Sequence, residues 1–176
     1  RFGPVVGDWC AGQIQQRPDI AMDRIDVADF PVPLDLESKP AGDDDVLAGL
    51  QARMKAADAF VVVTPEYNHS YPAGLKNFID WHYEEWQAKP VGFVSYGGIA
   101  GGLRAVEHLR NVFAELHAVT VRDTVSFHGA AACFRPDGQP VDPSGCTAAM
   151  KTLLDQLVWF GQALRDARRR SPYRTG

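Results

Sequence analysis

The residues best equipped for chemistry lie at 64–81, TPEYNHSYPAGLKNFIDW. An apolar run ends at Thr64 and a helix-like pattern starts near Pro72; between them crowd Pro65, Glu66, Tyr67, Asn68, His69, Ser70 and Tyr71. An amide, a carboxylate and aromatic rings in one loop can read the edge of a planar heterocycle and cover its face. Asn68 and Ser70 could equally cap the helix that follows. A second candidate is SYGGIAGG, starting at Ser95. Its glycines lack the spacing of a dinucleotide fingerprint. Gly97 and Gly98 instead let the backbone approach a flat ligand beside Tyr96, or simply make a tight turn. A third is Arg1-Phe2-Gly3, just ahead of Pro4. A guanidinium, a glycine and a helix start together suit a phosphate, although Arg1 also reads as an exposed terminal residue. Arg104, near the start of the helix after the glycines, could attract a nicotinamide phosphate or form a surface salt bridge.

These stretches need elements to hold them. Pro4 suits the first turn of a helix that carries Val5, Val6, Trp9 and Ile14 and stops at Arg17-Pro18. Ile25-Asp26-Val27 is a short strand candidate, followed by a proline-rich loop. Asp43, Asp44 and Asp45 open a helix through Val46, Leu47, Leu50 and Met54. AFVVVT, 59–64, is continuous, apolar and β-branched, the pattern of a strand covered on both faces. A helix over 72–87 follows, then a strand VGFVSY (91–96), a helix through Leu103–Leu116, a strand VTVRDTVSF (119–127), a turn-rich loop over 135–145 and a last amphipathic helix through Leu153–Leu164. Strands alternating with helices predict an open parallel α/β sheet. Four strands are visible, and one ahead of Arg1 would make five. In such sheets ligands sit outside the carboxyl ends of the strands, where all three polar stretches lie.

Composition removes several function classes. A formal net charge of −4 and a pI of about 5.7 argue against a nucleic-acid binder. No apolar run reaches membrane-spanning length, and no secretory signal is visible. Cys10, Cys133 and Cys146 are widely spaced, form no CxxC pair and read as reduced thiols in a cytoplasmic protein. The five histidines form no HxxxH pair, and no metal site is expected; His69 and His128 follow strand ends and could border the pocket. At about 100° per residue, Leu75, Phe78, Ile79, His82 and Trp86 share one helical face, with Trp81 and Tyr83 on either flank. The apolar arc of roughly 200° exceeds what one core contact requires. A homodimer or dimer of dimers through helix 72–87 is therefore expected.

TPEYNHSYPAGLKNFIDW followed by KPVGFVSYGGIAGGLRA resembles the NADPH-dependent FMN reductase family, and the resemblance runs over nearly the whole chain. It implies a single flavodoxin-like domain over 1–176; the basic, polar end RRRSPYRTG itself reads as a tail, flexible over 170–176. The implied fold is a three-layer sandwich around a five-stranded parallel sheet of order 2-1-3-4-5, whose first strand is missing from this sequence together with the Ser and first Arg of the family's phosphate loop. The resemblance further implies bound FMN, NAD(P)H as hydride donor and a small acceptor such as a flavin or quinone, in ping-pong order. By it, Arg1, Phe2 and Gly3 lie by the FMN phosphate. Pro65, Glu66, Tyr67 and Asn68 line the ribityl chain and ring, and Ser95, Tyr96, Gly97 and Gly98 complete the ring pocket. No protein acid or base is expected to be indispensable, because hydride chemistry belongs to the flavin. The alternative is a flavodoxin-like electron carrier.

Overall fold

Three apolar runs become strands, β1 (Phe60–Pro65), β2 (Pro90–Gly97) and β3 (Val119–His128), which pair in parallel in that order. The computed structural model describes residues 2–37 and 44–174; Arg1 and Asp43 lie outside them. Parallel neighbours need crossovers. Helix α3 (Ala73–Asp80) and a 3-10 turn at Glu84–Trp86 join β1 to β2, and α4 (Leu103–Glu115) joins β2 to β3. Helices α1 (Gly3–Gln15) and α2 (Asp44–Ala56) precede the sheet; a short α5 (Ala130–Cys133) and the long α6 (Pro143–Arg170) follow it.

The helices form two layers. On one face Val6, Trp9 and Ile14 of α1 and Leu153, Leu154 and Leu157 of α6 pack on Val94, Val121 and Val125. On the other, Leu50 and Met54 of α2, Phe78 and Ile79 of α3, and Leu109 and Phe113 of α4 pack on Val91 and Phe93. β2 lies between both layers and is buried from Pro90 to Ser95. The result is a three-layer α/β sandwich.

Several sequence expectations are corrected. Three strands pair among the described residues, not four. Ile25-Asp26-Val27 is not a strand: the Asp26 carboxylate accepts the Ala28 N–H at 3.0 Å and the chain enters a 3-10 turn, Val27–Asp29. A short acceptor side chain thus drew the backbone away from a ladder. β1 is half-buried, with only Thr64 fully covered, because among the described residues it has a strand partner on one side alone.

The helix expected over 72–87 ends at Asp80. Trp86 folds back, and its indole N–H donates to the Ile79 carbonyl at 3.2 Å, while the Trp81 indole donates to Pro33 O at 2.9 Å. The wide apolar arc is thereby taken up inside the protomer, with Phe78, Ile79, His82 and Trp86 all buried and Tyr83 left exposed. The last helix starts at Pro143, inside the expected loop, with the Asp142 carboxylate accepting the Gly145 N–H at 3.0 Å, and it continues to Arg170. Beyond it residues 171–174 are exposed, and the Tyr173 hydroxyl lies 3.0 Å from His117 Nδ1.

At the amino end of β2 a lysine enters the core. Lys89 is 5% exposed, lies 5.4 Å over the Phe60 ring and donates to Met54 O and Lys55 O at 2.8 and 2.9 Å. It closes the last carbonyls of α2, which have no partner within that helix. Burial, reinforced by Arg168, pushes the amine from 10.5 down to about 8, against the pull of Asp58 and Glu85. The folded protein therefore loses this proton before the unfolded chain does. Between about 8 and 10.5 the unfolded chain binds more protons, so this site's contribution to stability rises with pH across that window. The neutral amine still donates to both carbonyls. In Lys89→Met that rise should disappear. Denaturant midpoints measured across the window should climb relative to the variant in the wild type, and parallel midpoints would refute the buried-charge account.

Candidate functional site

β1 and β2 end in register, Pro65 opposite Tyr96, and the Glu66 N–H donates to Tyr96 O at 3.0 Å. The chain then makes a tight two-residue turn. Tyr67 and Ser70 exchange backbone hydrogen bonds at 2.8 and 3.1 Å, and Asn68 and His69 between them have φ of 48° and 73°. Two consecutive non-glycine residues in the left-handed region cost about 1–3 kcal/mol each. Such strain persists only where the surroundings hold it, and here it projects Tyr67, 62% exposed, from the strand end. The turn does not cap α3: Pro72 is the N-cap and no side chain closes that end. The Ser70 hydroxyl lies instead 2.9 Å from His108 Nδ1 on α4.

Glu66 points inward. Its side chain is 10% exposed, with Oε1 3.3 Å from Arg104 Nη1 and Oε2 accepting the Arg104 backbone N–H at 3.2 Å. Arg104 Nη1 also donates to His69 Nδ1 at 3.0 Å, which leaves a neutral His69 protonated on Nε2. The first loop is thus tied to the start of α4.

The glycine loop is pinned from beneath. Ser95, fully buried, donates its hydroxyl to Gly101 O at 2.9 Å, and Ser126 donates to the same oxygen at 2.8 Å. His128 Nδ1 donates to Ile99 O at 2.9 Å, and the Gly129 N–H donates to Gly98 O at 2.8 Å. Gly101 and Gly102 have φ of 60° and 88°, and a Cβ on Gly102 would lie 2.5 Å from Ser95 Cβ and 2.8 Å from Tyr96 N. Gly98 differs: a Cβ there meets nothing within 4 Å, so its backbone faces open space. Ile99 beside it is 95% exposed.

The third stretch joins the other two. Phe2 is the N-cap of α1, which has no side-chain cap, no acid in its first turn and Pro4 at its start. The Phe2 ring lies 5.9 Å from that of Tyr96 and 5.7 Å from that of Phe134. An uncapped positive helix end therefore stands at the carboxyl end of β2.

Among the expected residues, Phe2, Gly3, Pro65, Glu66, Tyr67, Asn68, Tyr96, Gly97 and Gly98 come together at this sheet edge; Arg1 lies outside the described residues. Ser95 is there too, but its hydroxyl is engaged by the loop's own carbonyl rather than turned to the cleft. Gly101 and Gly102 belong to the SYGGIAGG stretch and turn the chain into α4; Ser126 carries no signal in the sequence alone, and His128 reads there only as a border. The positions of these last two follow from the β2–β3 register, which sets Ser95 opposite Ser126 and Gly97 opposite His128. Among the described residues no cluster of three His, Cys, Asp or Glu side chains could hold a metal, and no helix is long and apolar enough to cross a membrane. A groove of about 370 Å3 lies elsewhere, between α1 and the 136–139 turn. It lies away from the strand ends, and its one aromatic ring, Trp9, is buried.

A sequence model of the family described as NADPH-dependent FMN reductase matches residues 1–132. The chain belongs to that family. Among curated relatives of the reductase family, a probable NADPH:quinone oxidoreductase of Oryza sativa is 31% identical over 157 residues, covering 84% of this chain and 75% of the rice protein. A quinone reductase of Escherichia coli is 32% identical over 147 residues, covering 79% and 76%. An NAD(P)H-dependent FMN reductase of Schizosaccharomyces pombe is 35% identical over 108 residues, and there the match spans only 54% of the yeast protein. Among solved structures, the flavoenzyme NAD(P)H:(acceptor) oxidoreductase FerB of Paracoccus denitrificans superposes with a TM-score of 0.61 at 22% identity, over 88% of this chain and 90% of FerB. An NADH:FMN oxidoreductase in its apo form gives 0.63 at 17% identity, over 93% and 82%. These likenesses establish the flavodoxin-like α/β class.

The glycine loop yields a direct test. Gly102→Ala combines a left-handed backbone with overpacking against Ser95 and should destabilise the fold by about 3 kcal/mol. Urea unfolding of the variant checks this, and a loss below 1 kcal/mol would mean the loop is not held as described.

Proposed function

We propose that this chain is an FMN-dependent NAD(P)H oxidoreductase that passes electrons to a quinone or flavin acceptor. The observation that carries the reading is the meeting of an uncapped helix end, an exposed tyrosine on a strained turn and an open glycine backbone at one sheet edge. The donor set fits FMN: the α1 N-terminus at Phe2 and Gly3, with Arg1 ahead of it, suits the phosphate. Pro65, Glu66, Tyr67 and Asn68 suit one wall of the ring and the ribityl chain. Tyr96, Gly97 and Gly98 suit the other, with Ser95 acting from beneath through Gly101. Bound there, FMN would supply the hydride chemistry.

The chain's own residues then bind, orient and exclude water. The Gly98 backbone leaves room for a flat ring to lie close. Tyr67 and Ile99 offer apolar cover that is exposed without a ligand. Glu66, fixed by Arg104, holds the turn that carries Tyr67 and Asn68. No side chain is assigned as acid or base. Donor and acceptor would use the same exposed face in turn, which gives ping-pong kinetics. The acceptor class is drawn from the relatives named as quinone and FMN reductases.

The five-stranded order 2-1-3-4-5 belongs to the same reading. Ile20 and Met22 touch one core cluster and Ile25 and Val27 the other, so residues 20–27 reach both faces of the sheet, yet none of them pairs with β1. A homodimer and a cytoplasmic location also remain part of it, the former supported by exposed Tyr83 and Trp159. The remaining case for a seam through 72–87 is Tyr83 alone.

Purified protein mixed anaerobically with FMN and NADPH should lose the visible absorbance of oxidised flavin and regain it on adding a quinone. FMN binding without reduction by either nicotinamide would favour an electron carrier. Gly98→Ala should leave the unfolding midpoint unchanged and weaken FMN binding about tenfold, read by quenching of flavin fluorescence. Unaltered affinity would remove Gly98 from the cleft wall.

A further inference from the structure

Beside the cleft, outside the residues assigned to the flavin, lies a rim of basic side chains. Arg104 is the second residue of α4, and His108 stands one turn further along it. His69, on the strained turn, is 3.0 Å from Arg104 Nη1 through its Nδ1, and its ring centroid is 6.3 Å from that of His108. Ser70 Oγ, 2.9 Å from His108 Nδ1, completes the group. Glu66 is the carboxylate paired with Arg104 among the described residues, and its two oxygens are met by Arg104 Nη1 and by the Arg104 backbone N–H. The Arg104 side chain is nevertheless 40% exposed, and its guanidinium has donors beyond Nη1. The α4 terminus beneath it has no acid in its own first turn, and the Glu66 carboxylate meets one of its backbone N–H groups. A forked cation with donors to spare, two imidazoles and a hydroxyl at one rim make a phosphate site.

We propose that Arg104, with His69 and His108, binds a phosphate of the incoming nicotinamide dinucleotide and so sets how tightly the hydride donor is held. The proposal rests on the oxidoreductase reading. Two phosphate sources share this chemistry: the pyrophosphate common to NADH and NADPH, and the 2′-phosphate that NADPH alone carries. The competing explanation is that Arg104 only positions Glu66 and the turn above it.

A phosphate-free hydride donor separates these. FMN-loaded wild type, Arg104→Gln, Arg104→Lys and His69→Gln are compared with NADPH, NADH and N-benzyl-1,4-dihydronicotinamide. In Arg104→Gln, kcat/KM for NADPH relative to the phosphate-free donor should fall about tenfold or more, mainly through KM. Arg104→Lys should recover part of the loss, and His69→Gln should show a smaller one. Calorimetric binding of 2′,5′-ADP or inorganic pyrophosphate to the FMN-loaded protein should weaken in parallel, which reads the site without turnover. A loss confined to NADPH supports the 2′-phosphate, and an equal loss with NADH and NADPH supports the pyrophosphate. An equal loss with all three donors, or none with any, overturns the proposal. If wild-type protein binds no FMN, or no donor reduces it, the oxidoreductase reading fails first and this proposal falls with it.

Discussion

Two serine hydroxyls, from Ser95 on β2 and Ser126 on β3, converge on the carbonyl oxygen of Gly101. A carbonyl has two lone pairs, and here both are taken by neighbouring strands. Each bond is worth about 1 kcal/mol net, yet breaking one would strand a largely buried polar group at greater cost. The rest of the sheet edge is referenced to that point. Gly101 and Gly102 are held in left-handed backbone, which sets where α4 begins. The start of α4 places Arg104, Arg104 places Glu66, and Glu66 anchors the turn bearing Asn68 and His69. A loop that looks mobile by composition is therefore seated on the buried central strand and its neighbour β3.

The parallel layout also gives the molecule two electrically different ends. At the carboxyl edge of the sheet, the N-terminus of α1 lacks a side-chain cap and a first-turn acid, while that of α4 is met only by the Glu66 carboxylate. At the opposite edge, basic side chains close carbonyls: Lys89 those of Met54 and Lys55, and Arg168 that of Ala88 at 2.6 Å, with Asp58 balancing Arg165 and Arg168. One end is satisfied from within the chain. The other leaves partial positive charge, which favours an anion there although the chain as a whole is acidic.

What the sequence disclosed depended on how local the cause was. The apolar stretch 91–96 announced a strand, and the polar crowding after Thr64 announced a strand end with chemistry, whereas 59–64, whose pattern suits cover on both faces, is only half-buried. The two features that held need only neighbours in the chain. Ile25-Asp26-Val27 misled because one carboxylate outcompeted strand pairing. The helix expected over 72–87 broke where the Trp86 indole, seven residues away, reaches the Ile79 carbonyl, a contact no periodicity reveals. Ser126 and His128 were obscure because their roles depend on the register between β2 and β3, which shifts between Val91 and Phe93. The start of α6 was readable in principle, since Asp142-Pro143 is an N-cap followed by a proline at the first helical position; the proline count of that stretch masked it.

The half-buried state of β1 has a consequence for solubility. Phe60, Val61, Val62 and Val63 are only partly covered, and the side of the strand away from β2 carries backbone donors and acceptors with no strand partner among the described residues. A β-branched apolar strand with an open edge is a template on which another extended chain can add. Charges, prolines and bulges are the usual deterrents, and the run has none before Pro65. Whatever form of the molecule keeps that edge occupied will stay dispersed, and any form that bares it will tend to polymerise through its backbone rather than through its surface side chains.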